Sequence, residues 1–160
     1  MTDEANVLTL EEIRAFADDW YRKLDEHAPA SDVLPLVIDE GLEFVVPEGT
    51  LRNHEEFASW YAGGSPLLGV INLFFNEVHT IRKVHGLRRV AVVGDIDRWE
   101  VKVEVNWQAH RWHAPQPRDE WIGFDAYQTW QMIRSPASGK PVIARYVVDE
   151  LRAMPGSPKL

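Results

Sequence analysis

The feature that most constrains the fold is a change in the spacing of apolar residues near residue 70. Before that point, apolar residues recur at the intervals of amphipathic helices, beginning with Leu10, Ile13 and Phe16. After it, apolar and polar residues alternate, which is the pattern of half-buried strands in an antiparallel sheet. Helices followed by a run of strands predict an α+β fold, with the helices packed on one face of a curved sheet.

Capping signals predict the limits of three helices. Thr9 and Glu12 fit a capping box, so the first helix begins there and ends near His27. Ser31 is expected to cap a short second helix. A strand over residues 42–46 follows it. Asn53 and Glu56 repeat the capping pattern, and a pair of glycines at 63–64 closes the third helix.

The second half of the chain reads as strands separated by turn-like segments. The predicted strands cover residues 72–84, 89–95, 98–112, 124–133 and 141–151. A chain of 160 residues is long enough for one domain with a sizeable core and too short for two comfortable ones. We therefore expect a single domain over residues 8–152, between a flexible N-terminus, 1–7, and a flexible tail, 153–160.

Charge and cysteine content exclude several classes of protein. The 17 Lys and Arg side chains are outnumbered by 25 Asp and Glu, for a formal net charge of -8 at pH 7. Such a surface repels nucleic acids and anionic membranes, so neither is expected as a partner. The absence of cysteine excludes disulfides and thiolate catalysis. With no signal peptide and no apolar run of membrane-spanning length, the protein is expected to be cytoplasmic.

The segment VNWQAHRWHAP, residues 105–115, concentrates tryptophan and histidine. Strand alternation places Trp107 on the core face, whereas Gln108, His110 and Trp112 share the opposite face. His110 and His113 then lie on opposite faces of an extended strand, so no metal site is expected. Tryptophans suit half-wet surfaces, and we interpret the outer face as the contact of a homodimer.

The order of the elements resembles the nuclear transport factor 2-like superfamily, which includes SnoaL-like polyketide cyclases, ketosteroid isomerase and scytalone dehydratase. The resemblance covers roughly residues 8–152. It rests on that order and on three segments, GTLRNHEEFASWY, FDAYQTWQM and IARYVVDEL. It implies a cone in which three helices and the concave face of the sheet enclose an apolar pocket, while the convex face often pairs with a second subunit.

The resemblance also implies candidate catalytic residues. Tyr21 and Asp125 fall at about the positions of the isomerase's oxyanion tyrosine and neutral acid, and Asp125 also resembles the acid/base of polyketide cyclases. His79 and His110 roughly match two catalytic histidines of scytalone dehydratase, although alternation points His110 outward. Val45 occupies the position of the isomerase base, and an apolar residue cannot take a proton, so classical isomerase activity is not expected.

Two classes of function remain open. One is a cofactor-independent cyclase, isomerase or dehydratase that acts on a small apolar, oxygenated ligand through Asp125, Tyr21 and His79. The other is a non-catalytic ligand-binding or dimerisation module, because the fold hosts both. In either case we expect a set of apolar and aromatic side chains to contact the ligand: Phe44, Val46, Trp60, Trp107, Tyr127 and Trp130.

Overall fold

The computed structural model describes residues 7–64, 67–113 and 115–160. Its helices are α1 Leu10–Asp25, α2 Ala30–Val33, α3 His54–Ala62 and α4 Val70–Leu73, with a 3-10 turn at Leu34–Leu36. Its strands are β1 Glu43–Val46, β2 Gly49–Leu51, β3 Gly63–Gly64, β4 Leu67–Leu68, β5 Phe74–Val93, β6 Ile96–Trp112, β7 Asp119–Arg134 and β8 Pro141–Ala153. In the described ranges, no helix combines the length and the apolar character needed to cross a membrane.

Six of the strands form one sheet in the order β2-β1-β8-β7-β6-β5. Neighbouring strands are antiparallel except β1 and β8, which run parallel. The short strands β3 and β4 pair separately. The helices precede the long strands and pack on one side of the sheet, so the predicted α+β architecture is confirmed.

Helix α1 begins as its sequence predicts. The Glu12 backbone N–H donates to Thr9 Oγ1 at 3.1 Å, which satisfies one of the unpaired donors of the first turn. The buried face of the helix carries Trp20 and Tyr21 against the sheet. The helix ends at Asp25, two residues before His27, because His27 adopts a φ of 53° in the left-handed region.

The second helix is a single turn, Ala30–Val33, and its predicted cap is wrong. Pro29 occupies the N-cap position without a side-chain hydrogen bond, and Ser31 lies inside the helix. The chain then tightens into the 3-10 turn that contains Pro35. Helix α3 agrees with the prediction, since Asn53 Oδ1 accepts from the Glu56 backbone N–H at 2.8 Å and Gly63 ends the helix at a φ of 74°.

Strand β5 is continuous where the sequence predicted two strands, because register shifts absorb its irregular segments. The first shift is a bulge, in which Asn76 and Glu77 stand opposite the single residue Ala109 of β6. Asn76 has a φ of 51°. Because an extra residue reverses the alternation of side chains, His79 faces the concave side, beside its partner Trp107.

The core lies between α1, α3 and the concave face of the sheet. Val101, Val103 and Val105 of β6 are buried there, which confirms the alternation predicted for this strand. Trp20 of α1 packs against aromatic rings from the first and last strands and from α3: Phe44, Phe57 and Tyr146. This aromatic layer fixes the helices above the concave face, and the site described below lies beside it.

Residues 153–160, expected to be a flexible tail, are hydrogen-bonded to β7. The Met154 backbone N–H donates to the Gly123 carbonyl at 2.9 Å, and the Gly123 N–H donates to Ser157 Oγ at 3.0 Å. A Cβ on Gly123 would lie 2.6 Å from Trp121 Cζ2 and 2.7 Å from Met154 Sδ, so a side chain there would displace the Trp121 ring or the tail. The tail also covers Asn106, which is buried although it belongs to the convex face.

Candidate functional site

A cavity of about 330 Å³ lies between the helices and the concave face of the sheet. This volume is in the range of pockets that hold small organic molecules. Most of its wall is apolar or aromatic, from Trp20, Leu24, Phe44, Trp60, Val70, Ile71, Phe74, Val105, Trp107 and Ala126. Polar side chains also line it, among them Glu77, His79, Gln128 and Tyr146.

His79 is held by Asp25 through two hydrogen bonds. The His79 backbone N–H donates to Asp25 Oδ2 at 3.0 Å, and the ring Nδ1 lies 2.5 Å from Oδ1. Since an ionised carboxylate can only accept, Nδ1 carries a proton, and in the neutral ring Nε2 then keeps its lone pair. The side chains of His79 and Asp25 are 11% and 24% exposed. His79 itself lines the cavity, and Asp25 lies outside that lining and reaches it through His79.

Aromatic rings fix the plane of the His79 imidazole. Tyr21 stacks on one side with a centroid distance of 4.6 Å and an interplanar angle of 23°. Trp107 is nearly parallel to the ring at 6.1 Å and 12°. Asp25 follows Tyr21 by four residues on α1, so one turn of one helix supplies both the stacking ring and the carboxylate.

In the cavity wall, Gln128 links Tyr21 to Trp130. Trp130 Nε1 donates to Gln128 Oε1 at 2.8 Å, and Gln128 Nε2 donates to the Tyr21 hydroxyl at 3.1 Å. Burial raises the pKa of Tyr21 well above its ordinary value, and burial raises the pKa of Tyr146 to about 12. Both phenols therefore stay protonated at neutral pH and remain neutral hydrogen-bonding groups.

Glu77 forms a second polar group in the wall. Its Oε1 accepts from Trp107 Nε1 at 3.0 Å, and its Oε2 lies 2.5 Å from His27 Nε2. The Glu77 side chain is 12% exposed. The bulge in β5 gives Glu77 and His79 the same orientation, so the carboxylate and the imidazole face one cavity.

The three predicted catalytic residues occupy different places. His79 lines the cavity, and Tyr21 is buried beside it in stacking contact. Asp125 lies on the convex face, where its Oδ1 accepts from Asn106 Nδ2 at 2.9 Å. Asp125 is paired with neither Tyr21 nor Arg145, which instead contacts Glu43. Asp125 and Tyr21 were expected to face each other across the pocket. In the described structure they do not, because odd-numbered positions of β7 near Asp125 face outward.

The predicted ligand-contacting residues divide in the same way. Phe44, Val46, Trp60 and Trp107 line the cavity. Trp130 is fully buried in the core and touches the site through its bond to Gln128 and its stacking on Tyr146 at 5.5 Å. Tyr127 is on the convex face, where its ring packs under the Arg152 guanidinium at 5.0 Å.

The two histidines of the segment 105–115 contact separate carboxylates. His110 Nδ1 lies 2.9 Å from Asp119, and His113 Nε2 lies 3.0 Å from Glu120. The residue of β6 that pairs with His79 of β5 is Trp107, and His110 pairs with Phe75 instead. His79 and His110 are therefore not neighbours. Within the part of the chain that the structure describes, no three His, Cys, Asp or Glu side chains are grouped so that they could hold a metal ion.

The sequence reasoning missed Asp25, Glu77, Gln128 and Tyr146. Asp25 carries a usable signal, because its spacing of four residues from Tyr21 places both on the same helical face. Glu77 and His79 share a strand at a spacing of two, but their orientation depends on the bulge. Alternation could have found Gln128, since it places this residue on the same face as Trp130.

The fold is shared with solved structures, although the sequences are far apart. No protein-family model matches the chain, and the curated proteins include no match. A ketosteroid isomerase-like protein from Erwinia carotovora atroseptica superposes with a TM-score of 0.63 at 16% identity, over 93% of this chain and 97% of that one. Hexachlorocyclohexane dehydrochlorinase LinA-type3 from Novosphingobium barchaimii gives 0.60 at 15% identity, over 94% and 92%.

A nuclear transport factor 2-like superfamily protein from Salmonella enterica matches with a TM-score of 0.58 at 14% identity, over 100% of this chain and 95% of that one. These likenesses extend over nearly the whole length of each chain. The chain therefore has the nuclear transport factor 2-like fold, as the resemblance of its element order implied.

Proposed function

We propose that this protein binds a small apolar, oxygenated molecule in the cavity and that His79, oriented by Asp25, exchanges a proton with it. The observation that carries this proposal is the Asp25–His79 pair, with Nδ1 2.5 Å from the carboxylate, at the wall of an aromatic cavity. A carboxylate that holds the imidazole in one tautomer and stabilises its protonated form is the recurring support of a histidine base.

The remaining polar groups suit the same chemistry. His79 Nε2 removes a proton from a carbon of the ligand, and Asp25 stabilises the resulting imidazolium. Gln128 and Tyr146 line the same cavity, and their neutral N–H and O–H groups can donate to a ligand oxygen on which negative charge develops. Elimination, isomerisation and ring closure all begin with such a proton transfer and need no cofactor.

The shared fold supports this class of reaction without identifying a substrate. Two of the similar structures are named a dehydrochlorinase and a ketosteroid isomerase-like protein. Dehydrochlorination and ketone isomerisation both involve the transfer of a proton. The alternative is a binding module in which the Asp25–His79 pair only stabilises the wall. The two differ in whether a bound carbon acid loses its proton to His79.

A generic carbon acid tests the proposal without knowledge of the substrate. A base removes the C3 proton of 5-nitrobenzisoxazole, the N–O bond breaks, and a coloured cyanophenolate forms. We expect the protein to accelerate this reaction above buffer. We expect His79→Gln to lower the protein-dependent rate by about 100-fold, since a positioned general base contributes about that much. Asp25→Asn should lower it as well, because an amide does not stabilise the imidazolium.

A matched pair outside the cavity provides the control. His110 and Asp119 form a similar contact at 2.9 Å on the outer face. His110→Gln and Asp119→Asn should leave the rate at the wild-type value. A wild-type rate in His79→Gln, or equal losses in the His79 and His110 variants, would show that His79 is not the base.

A further inference from the structure

Glu77 is a carboxylate that the proposed proton transfer does not use. It lies on the same strand as His79, two residues earlier, and lines the same cavity. A carboxylate with 12% exposure is costly to bury unless its oxygens are hydrogen-bonded. Its two partners, Trp107 Nε1 and His27 Nε2, hold it in place from the cavity wall.

These two partners leave acceptor capacity free. A carboxylate offers roughly four lone-pair positions, and Glu77 uses two of them. The pKa of Tyr61 is raised to about 12, chiefly by burial and next by the negative charge of Glu77. The Glu77 charge therefore acts on its neighbours in the wall. A ligand group that donates a hydrogen bond would satisfy a free position, and a ligand anion would be repelled there.

The rest of the wall gives an anion no compensation. Among the described residues that line the cavity, none is Lys or Arg. Aromatic side chains also line it, among them Trp60, Phe74 and Trp107, and the face of an aromatic ring attracts a cation and not an anion. The wall therefore favours neutral or positively charged ligands even before Glu77 is considered.

We propose that Glu77 determines which ligands the cavity accepts: it receives the donor group of an alcohol, a phenol or a protonated amine, and it disfavours carboxylates and phosphates. This inference rests on the ligand-binding part of the proposed function and is independent of catalysis by His79. Glu77 acts here as a specificity residue in direct contact with the ligand.

Three probes of one shape test the proposal by calorimetric titration: 2-naphthol, 2-(aminomethyl)naphthalene and 2-naphthoate. We expect the first two to bind at least about tenfold more tightly than the carboxylate, because hydrogen bonds to a charged group are worth about that factor. Glu77→Gln should reduce this preference measurably, while the other acidic residues of the wall, Glu48, Asp149 and Glu150, keep part of it. Its amide oxygen remains committed to the Trp107 N–H, and the neutral side chain no longer repels an anion.

The control is a histidine-paired glutamate outside the cavity. Glu104 lies 2.9 Å from His85 Nε2 on the outer face, and Glu104→Gln should keep the wild-type preference. Equal affinities for the three probes in the wild type would overturn the proposal, and this measurement needs no variant. An unchanged preference in Glu77→Gln would overturn it too. The rate in the carbon-acid assay reports separately on His79, so either proposal can fail alone.

Discussion

At the scale of single residues, the face that a side chain occupies decides what it can do. Asp125 was predicted in the pocket, but it lies on the convex face and accepts from Asn106 at 2.9 Å. Its immediate strand neighbours, Phe124 and Ala126, are buried on the concave side. The aromatic residues that precede and follow Asp125 in the sequence therefore do not indicate the environment of Asp125 itself.

This placement gives a prediction for Asp125. Asp125→Ala should lower the free energy of unfolding by about 1 kcal/mol, because Asn106 loses one hydrogen-bond acceptor beneath the tail. It should not change the rate of the carbon-acid assay. Urea titration measures the first effect and the coloured phenolate measures the second. Loss of turnover at unchanged stability would instead return Asp125 to the candidate site.

At the scale of elements, the bulge in β5 determines the site. Without an extra residue between the Phe75 and Val78 pairs, strict alternation would turn His79 to the convex face. The bulge requires Asn76 at a φ of 51°, which asparagine and glycine tolerate better than other residues. The position and the orientation of His79 thus depend on a local conformation that no period-2 pattern reveals.

Substitution of Asn76 tests the conformational requirement. Asn76→Ala should destabilise the protein by about 1 kcal/mol, because alanine keeps the Cβ clash of the left-handed region and lacks the short polar side chain that lets asparagine offset it by local hydrogen bonding. Asn76→Gly should stay within about 0.5 kcal/mol of the wild type, since glycine adopts positive φ without strain. Denaturant unfolding of both variants gives the comparison. Equal stability of the alanine and glycine variants would contradict the assigned bulge.

At the scale of the whole molecule, the convex face carries an exposed aromatic patch. Trp112 is 40% exposed and stacks on Phe75 at 4.7 Å, and Phe75 also packs near His110 at 5.2 Å. Val78, which is 56% exposed, lies on β5 with Phe75. Exposed apolar groups that lie together are typical of interaction surfaces, and we infer that this patch contacts a second copy of the chain.

The inferred homodimer has a direct test. We expect a dimer at micromolar concentration by sedimentation velocity, and Trp112→Glu should convert it to a monomer by burying a charge at the contact. Val92→Glu is the matched control, because Val92 is 58% exposed at the opposite end of the same hairpin. A monomeric wild type, or a Trp112→Glu protein that remains dimeric, would refute the interface.

Much of the fold could be predicted because it depends on repeated local patterns. Local hydrogen-bonding rules place the caps at Thr9 and Asn53. A regular spacing of apolar residues, repeated over many positions, gives the change of period and the alternation along β6. The site depended instead on single events. A one-residue bulge turned His79 inward, and the packing of α1 across β5 brought Asp25 to it from 54 positions away in the chain.

The central claim is that Asp25 holds His79 with Nε2 free to accept a proton in a ligand-binding cavity. Long-range 1H–15N NMR of the six histidine rings tests it, with His79→Gln identifying the His79 signals. We expect the neutral His79 ring to carry its proton on Nδ1 and not on Nε2, and 2-naphthol to shift the Nε2 signal while leaving His110 unchanged. A proton on Nε2 of the neutral ring, or no response of His79 to the probe, would contradict the account.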